Sequence, residues 1–232
     1  MMTKAATSNS TLAPRQAKRD PEGVRRDILC VAMDEFAQNG LSGARIDEIA
    51  ARTRTSKRMI YYYYGDKEGL YQQALEAAYA QVRGGESGLE LDEMEPVAAL
   101  DKLCRFTFDH HRRHPAFIRM VMIENVHHGR HMQASETIRE LNRPAIDALE
   151  NVLVRGQKQG VFREGVGALE LHWQISALSF FNVSNAATFS FIFGGNLFTD
   201  DGQETLSKHV AEMVLRYVLR VEHIGATEKT GR

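Results

Sequence analysis

Cysteine is scarce in this sequence, and its scarcity excludes one class of protein. The 232 residues include two cysteines, Cys30 and Cys104, which are too few and too far apart to form the disulfide framework of a secreted domain. Both lie in stretches with the apolar spacing of a helix. Residues 1–20 are polar and basic and lack the apolar run of a secretory signal. We therefore expect a protein of the reducing cytoplasm.

Charge is absent from one long stretch of the chain. Residues 171–199 contain no aspartate, glutamate, lysine or arginine, and this length would be enough to cross a bilayer. Polar side chains interrupt the stretch throughout: Gln174, Ser176, Ser179, Asn182, Ser184, Asn185, Thr188 and Ser190. Two interpretations are open, a membrane helix and a helix buried on nearly all sides inside the protein or between two copies of it. The interruptions favour the second, so we expect no membrane partner.

Alternating strand patterns are also missing, and the periodicity of the apolar residues predicts an all-α fold. The predicted helices cover residues 25–38, 46–52, 56–63, 66–82, 96–114, 115–126, 136–159, 168–193 and 204–221. Ser56 and Asp66 are expected to cap the third and fourth helices, and Gly65 to separate them. Pro144 should either kink the seventh helix or begin a new one.

The glycine-rich segment GGESG marks the clearest break in the helical pattern. We place a linker over residues 83–92 and a domain boundary within it, between residues 23–83 and 84–225. Residues 1–22 are predicted to be a disordered basic arm, and 226–232 a disordered tail. The architecture is then a three-helix N-terminal helix-turn-helix domain joined to a larger C-terminal helical domain.

Basic charge is concentrated around the third predicted helix, although the formal net charge of the chain is only −1. Residues 51–65 contain four basic and no acidic residue. Three short helices lie in this region, and the second and third of them form a helix-turn-helix arrangement in which the third helix fits the DNA major groove. Helical spacing sorts the residues of the third helix into an outward face (Lys57, Arg58, Tyr61, Tyr62), an inward face (Ile60, Tyr64) and a margin (Tyr63).

This sorting predicts a different role for each tyrosine in the run YYYY. Tyr61 and Tyr62 would meet base edges or thymine methyl groups, and Tyr63 would donate to a phosphate. Tyr64 would be the core aromatic residue that holds the helix to Phe36. The alternative for Lys57 and Arg58 is an ordinary solvated face.

The same region resembles the DNA-binding domain of TetR/AcrR-type repressors. The matching residues are I28-L29-x2-A32-x3-F36-x3-G40, I46-x2-I49-A50, T55-S56-K57, Y61 and K67-E68-x-L70. Two departures are visible, since Arg54 stands where the family usually has a turn glycine and Tyr64 where phenylalanine is common. Either the turn does not need a positive φ at Arg54, or the cation touches a backbone phosphate.

The resemblance implies a set of DNA contacts. Lys67 matches the family's phosphate-binding lysine, and Arg45 a position that often touches phosphate. The full set of predicted DNA-binding residues is Arg45, Arg54, Ser56, Lys57, Arg58, Tyr61, Tyr62, Tyr63 and Lys67. The basic arm would add phosphate or minor-groove contacts, or else be a solvated tail.

The resemblance also implies that residues 84–225 form a ligand-binding and dimerisation domain. In the family, the last two long helices of each subunit build a four-helix bundle in a homodimer, and the fifth to eighth helices line a pocket for a small molecule. The candidate ligand-binding residues here are Phe106, His110, Met120, Glu124, His127, Trp173, Ser176, Phe180 and Asn185. The alternative for each of them is a plain core position.

Six of the nine histidines lie between His110 and His131. The pairs His110/His114 and His127/His131 have the spacing of metal ligands on a helix, so a metal-sensing regulator is the alternative function, although surface or capping histidines are the simpler interpretation. The segment HPAFIRMVMIENVHHGRHM resembles the effector domain of a TetR subgroup that includes regulators of nicotinate degradation. It suggests a small aromatic or nitrogen-heterocyclic effector.

The predicted function is therefore a ligand-responsive transcriptional regulator. We expect a repressor that binds a palindromic DNA operator as a homodimer and is released by the effector, with activation as the variant left open. No nucleophile–base arrangement, phosphate loop or paired carboxylates stand at usable spacing, so we expect no enzyme activity. We also predict no cofactor and no metal site.

Overall fold

The computed structural model describes residues 20–224, and its regular elements there are helical. The helices are α1 (Pro21–Gly43), α2 (Ile46–Arg52), α3 (Lys57–Tyr64), α4 (Lys67–Ser87), α5 (Pro96–Arg113), α6 (Pro115–Val126), α7 (Glu136–Lys158), α8 (Ala168–Ser184), α9 (Ala186–Phe193), α10 (Asp200–Val218) and α11 (Val221–Ile224). This confirms the all-α prediction. The predicted tail and nearly all of the predicted arm lie outside the described residues, but α1 begins at Pro21, inside the predicted arm.

The N-terminal core forms where α1 to α4 meet. Ile28, Phe36, Ile49 and Ile60 are fully buried in it. The edge of the Tyr71 ring packs against Phe36, with ring centroids 5.0 Å apart. These residues follow the helical spacing seen in the sequence, so local periodicity alone determines most of this small core.

The helix α4 is longer than predicted. It continues to Ser87, so the prediction of a linker over residues 83–92 is wrong for the first half of that segment. Gly85 lies inside the helix. A Cβ at this position would stand 2.7 Å from the ring of Phe106 on α5, too close for an ordinary contact. The glycine thus allows two helices to approach closely and does not end one. Arg155 of α7 then anchors the short connection to α5 by donating to the carbonyls of residues 91, 92 and 94.

The C-terminal core lies between α5, α7, α8 and α10. Leu100, Leu149 and Leu171 are fully buried there. Pro144 lies inside a continuous α7, so it does not begin a new helix. The loop after α7 returns to the bundle through Phe162, whose ring lies 2.0 Å from the position a Cβ would take at Gly156. Only glycine fits that contact.

The uncharged stretch forms two helices where the sequence predicted one. The helices α8 and α9 are bent by 65° at the break between them. The stretch is not buried on nearly all sides within the single chain, since Trp173 is 70% exposed and Phe191 is 92% exposed, so burial between two copies stays a prediction. Within residues 20–224, no single helix is long and apolar enough to cross a membrane. The bent pair α8 and α9, taken together, has the length and composition for it.

Candidate nucleic-acid interface and ligand cavity

The turn between α2 and α3 contains a strained residue. Arg54 has φ of 52°, a left-handed conformation that usually favours glycine. The suggestion that this turn does not need a positive φ is therefore wrong. The Thr53 hydroxyl donates to the carbonyl of Ile49 at 2.7 Å, and the Ser56 side chain accepts from the Met59 amide at 3.2 Å. These caps fix the turn on both sides of Arg54 and leave its side chain exposed.

The tyrosine run divides between the surface and the core as the spacing predicted. Tyr62 is 77% exposed and Tyr61 is 42% exposed, whereas Tyr64 is 5% exposed. The Tyr64 hydroxyl donates to the carbonyl of Arg25 at 2.9 Å, so this ring joins α3 to α1 within the core that contains Phe36. Burial is the main cause of the raised pKa of Tyr64, which stays protonated and remains a donor.

Tyr63 occupies the margin between these two faces. Its half-buried ring packs edge-on against both Tyr62 and Tyr64 and lies 5.7 Å from the guanidinium of Arg25. The three rings thus support one another. The exposed Tyr62 ring contacts Tyr63, which restricts its motion and reduces the entropy lost on binding a partner.

The basic side chains around α3 are held by short local contacts. The Lys57 ammonium lies 2.5 Å from a carboxylate oxygen of Asp47. The Lys67 ammonium, at the start of α4, donates to the carbonyl of Ser42 at 3.1 Å. Arg45 and Arg58 are exposed. These residues and Tyr62 extend over α2, α3 and the start of α4, a surface suited to a polyanion.

A cavity of about 620 Å³ lies between α4 and the helices that follow it, and is called the main cavity below. It is bounded by α4 to α8 and by the loop over residues 129–135. The lining residues are Tyr79, Val82, Arg83, Glu86, Thr107, His111, Phe117, Val121, Gly129, Met132, Gln133, Ser135, Ile138, Arg139, Asn142, His172, Ser176 and Phe180. Three aromatic rings and several neutral polar groups provide walls for a flat small molecule.

The structure brings two of the predicted ligand residues, Ser176 and Phe180, into the main cavity. Trp173 lies on the outer side of α8, and Asn185 lines a separate apolar groove between α8, α9 and α10. His127 is exposed at the end of α6. These three therefore lie apart from the main cavity.

The side chains of the other four predicted ligand residues pack or form hydrogen bonds within the protein. Met120 is fully buried in the N-terminal core. Phe106 packs on the C-terminal core, and the His110 ring stacks on His114 at 4.1 Å, outside the lining of the main cavity. Glu124, 1% exposed, has protein partners of its own.

Glu124 forms a buried cluster with Tyr71 of α4 and His131, called the Glu124 cluster below. Its carboxylate accepts from the Tyr71 hydroxyl at 2.9 Å, the His131 ring at 2.8 Å, and the backbone amides of His131 and Met132. Burial alone would raise the pKa of Glu124, but the hydrogen bonds from His131 and Tyr71 outweigh it and leave the pKa below its usual value. The cluster therefore ties the loop that lines the main cavity to α4.

The histidines do not come together as metal ligands. In the part of the chain that the structure describes, no group of three or more His, Cys, Asp or Glu side chains is placed to hold a metal ion. His110 and His114 stack ring on ring, and His131 is hydrogen bonded to Glu124. Three of the four histidines whose spacing suggested a metal site are thus used for packing or hydrogen bonding, and the fourth, His127, is exposed.

Sequence reasoning missed the charged residues of the main cavity. Arg83 and Glu86 form an ion pair whose side chains are 15% and 11% exposed. They also line a second cavity of about 690 Å³ between α4, α5 and α7, called the second cavity below. A possible signal was the i, i+3 spacing of this pair, but it lay in a segment interpreted as a linker.

Two neutral imidazoles lie near this ion pair. Burial lowers the pKa of His111 and of His172 to about 4, and the charge of Arg83 acts in the same direction. Burial also raises the pKa of Glu86, while Arg83 opposes that rise. At neutral pH both rings are therefore uncharged.

Comparisons with known proteins agree with this arrangement. Residues 28–74 match the family described as "Bacterial regulatory proteins, tetR family", and residues 96–214 match "Tetracyclin repressor-like, C-terminal domain". The transcriptional repressor NicS of Pseudomonas putida is 32% identical over 92% of this chain and 99% of its own length. The transcriptional repressor SCO4008 of Streptomyces coelicolor is 30% identical over 86% of this chain and 98% of its own length.

A solved structure shows the same fold. It is a TetR family transcription regulator from Marinobacter aquaeolei VT8, with a TM-score of 0.65 and 20% identity, and it covers 85% of this chain and 96% of its own. At that identity the likeness concerns the fold, whereas the two family matches cover both domains. The chain therefore belongs to the TetR family and is a helix-turn-helix, DNA-binding transcriptional repressor, not an enzyme.

Proposed function

We propose that this repressor acts in the cytoplasm, binds a palindromic operator as a homodimer and releases it when a small aromatic or heterocyclic molecule fills the main cavity. The observation that carries the proposal is the division of α3 into an exposed face with Arg58 and Tyr62 and a buried face with Ile60 and Tyr64. A helix so divided presents its outer face to the major groove while the inner face holds its position.

A mobility-shift titration tests the proposal. The protein is titrated against the intergenic DNA upstream of its own gene and against a shuffled duplex of the same composition. We expect a specific complex that contains two subunits and forms on a site with two half-sites about 34–36 Å apart. Equal affinity for both duplexes would rule out operator recognition.

The support for a homodimer is the apolar surface of α8, α9 and α10. Two grooves of about 330 Å³ and 370 Å³ lie beside one another there and share Leu178 and Met213. The exposed apolar side chains of this region are Leu169, Trp173, Phe181, Phe191, Ile192, Phe193, Leu197 and Met213. Apolar side chains exposed in this number on and between three helices are costly in water and suit a symmetric interface. Light scattering of Trp173→Glu should report a monomer where the parent protein is a dimer.

The support for the effector class is the wall of the main cavity. The rings of Tyr79, Phe117 and Phe180 line it together with the neutral polar side chains of Thr107 and Ser176. Aromatic walls with a few polar groups fit a planar ring that carries hydrogen-bonding substituents. A thermal-shift screen of small aromatic and heterocyclic compounds tests this class. We expect at least one of the compounds to raise the melting temperature of the protein.

The Glu124 cluster supports a route from the main cavity to α3. A ligand that shifts the loop over residues 129–135 pulls on Glu124 and thereby on Tyr71, whose ring packs against the N-terminal core. The ligand must favour the arrangement that does not fit DNA, otherwise it shifts nothing. We expect Glu124→Gln to bind the ligand as the parent protein does. The factor by which the ligand lowers operator affinity should be about fivefold smaller in this variant than in the parent. An unchanged effect would argue against this route.

The metal-sensing alternative receives no support from the histidines that suggested it. The rings of His110 and His114 stack on each other and the ring of His131 is hydrogen bonded to Glu124, and no metal-ligand group is found in the described part of the chain. Operator binding that changes on adding zinc or a chelator would revive it.

A further inference from the structure

The ion pair between Arg83 and Glu86 separates the main cavity from the second cavity. Both side chains are mostly buried, and both line the two spaces. Buried ion pairs contribute little net stability because desolvation offsets the attraction between the charges. Stability alone therefore does not explain why this ion pair lies between two cavities, and a role in ligand binding is considered next.

The charges differ on the two sides of this pair. The main cavity is lined by two cations, Arg83 and Arg139, and one carboxylate, Glu86. Its two lining histidines, His111 and His172, are neutral because burial lowers the pKa of each to about 4. Arg139 is exposed to solvent, which screens its charge, but the lining still has one more cation than carboxylate, and this balance favours a monoanion.

The second cavity has the opposite balance. Its lining includes Glu140 together with Glu86, against the single cation Arg83. Glu140 is exposed and its charge is screened by solvent, but this lining is less favourable to an anion than that of the main cavity. The Glu86 side chain borders this space as well.

Arg83 uses only part of its hydrogen-bonding capacity. One terminal nitrogen, Nη1, donates to Glu86, and the buried Nε has no partner among the described residues. A guanidinium has five N–H donors in a planar fork, which matches the two oxygens of a carboxylate. Glu86 thus engages Arg83 incompletely, and a planar anion can engage it better.

We propose that the effector is a small aromatic monoanion with a carboxylate or similar planar oxyanion, which pairs with Arg83 in place of Glu86 while Glu86 turns toward the second cavity. The inference rests on the proposed function in taking the main cavity as the effector site. The ring of the ligand lies between the aromatic walls, and its anionic group lies against α4. Because α4 also joins the N-terminal core, exchange of partners at Arg83 acts on the helix that follows α3.

The exchange makes Glu86 a competitor of the ligand. Removing its charge leaves Arg83 free and should strengthen binding of an acid. Removing the guanidinium should abolish the preference for an acid over its neutral amide. A residue that only stabilised the fold would not produce these opposite effects.

Isothermal titration calorimetry of the full chain tests the proposal with two matched pairs of probes, benzoate against benzamide and pyridine-3-carboxylate against pyridine-3-carboxamide. We expect at least one acid to bind the parent protein about tenfold more tightly than its amide. Glu86→Gln should bind that acid about tenfold more tightly again, and Arg83→Gln should bind acid and amide alike. Glu150→Gln, which removes an exposed carboxylate of α7 that lines neither cavity, should behave as the parent.

Three outcomes would overturn the proposal. They are acid and amide binding the parent equally, Glu86→Gln binding the acid no better than the parent, and no acid binding to a protein that still binds its operator. The last outcome leaves the repressor function intact, whereas loss of specific operator binding by the parent overturns the proposed function itself. If Arg83→Gln does not fold, Arg83→Lys keeps the charge without the planar fork and should still weaken the preference for the acid.

Discussion

Replacing Arg54 by glycine should stabilise the protein and weaken DNA binding at the same time. Arg54 has φ of 52°, and a left-handed conformation costs a non-glycine residue roughly 1–2 kcal/mol. Glycine removes that cost but loses roughly 0.5–1 kcal/mol through the extra freedom of the unfolded chain. The exposed side chain contributes little packing that could be lost. The net gain is then roughly 0.5–1 kcal/mol, or about 2 °C in melting temperature for a chain of this size.

The assay is urea denaturation followed by circular dichroism, with Arg54→Ala as the matched control. Alanine removes the same charge and side chain but remains left-handed, so it should show no gain in stability. Equal unfolding free energies for the two variants would refute the strain argument. Both variants should bind the operator more weakly than the parent. The slope of log affinity against log salt concentration should be smaller by about 1 in each, because the same cation is missing.

Three further predictions concern the core and the buried titratable groups. Gly156→Ala should lower the unfolding free energy by about 3 kcal/mol because its Cβ would overlap the Phe162 ring, whereas Gly167→Ala, in open space, should not, as urea denaturation would show. Tyr64→Phe should cost about 1 kcal/mol in the same assay through the lost hydrogen bond to Arg25, whereas Tyr62→Phe at the surface should cost almost nothing. The free energy of unfolding should fall as pH decreases from 6.5 to about 4. Burial lowers the pKa of His110, His111 and His172 in the folded state, so the unfolded chain binds more protons in this range. A melting temperature that does not change with pH over this range would contradict the prediction.

The N-terminal domain was predictable because its signals are local. The spacing that placed Ile60 and Tyr64 inward and Tyr61 and Tyr62 outward depends on one turn of helix, and the structure preserves it. The capping roles of Ser56 and Asp66 follow from the chemistry of their side chains. The positive φ at Arg54 had one signal, the turn glycine that the family usually has at this position, but the arginine there was interpreted as evidence against it.

The main cavity was much less predictable because it is assembled from distant segments. The residues around it come from five helices and a loop, so no local pattern shows that Arg83 and His172 share one space. The glycines beside Arg83 resembled a break, whereas Gly85 serves the contact with Phe106. Aromatic and histidine residues at helical spacing could not be divided between cavity and core without the packing. Glu124 shows this well, since its partners stand 53 residues before it and seven after it along the chain.

The central claim is that the surface formed by α2, α3 and the start of α4 holds the operator. The measurement that tests it most directly is operator affinity as a function of salt for Lys67→Ala, Tyr62→Ala and the control Lys208→Ala, which removes an exposed lysine of α10. We expect Lys67→Ala to weaken binding and reduce the salt slope by about 1, Tyr62→Ala to weaken binding with the slope unchanged, and Lys208→Ala to match the parent. If Lys67→Ala and Tyr62→Ala bind the operator as tightly as Lys208→Ala does, the operator is held by another surface.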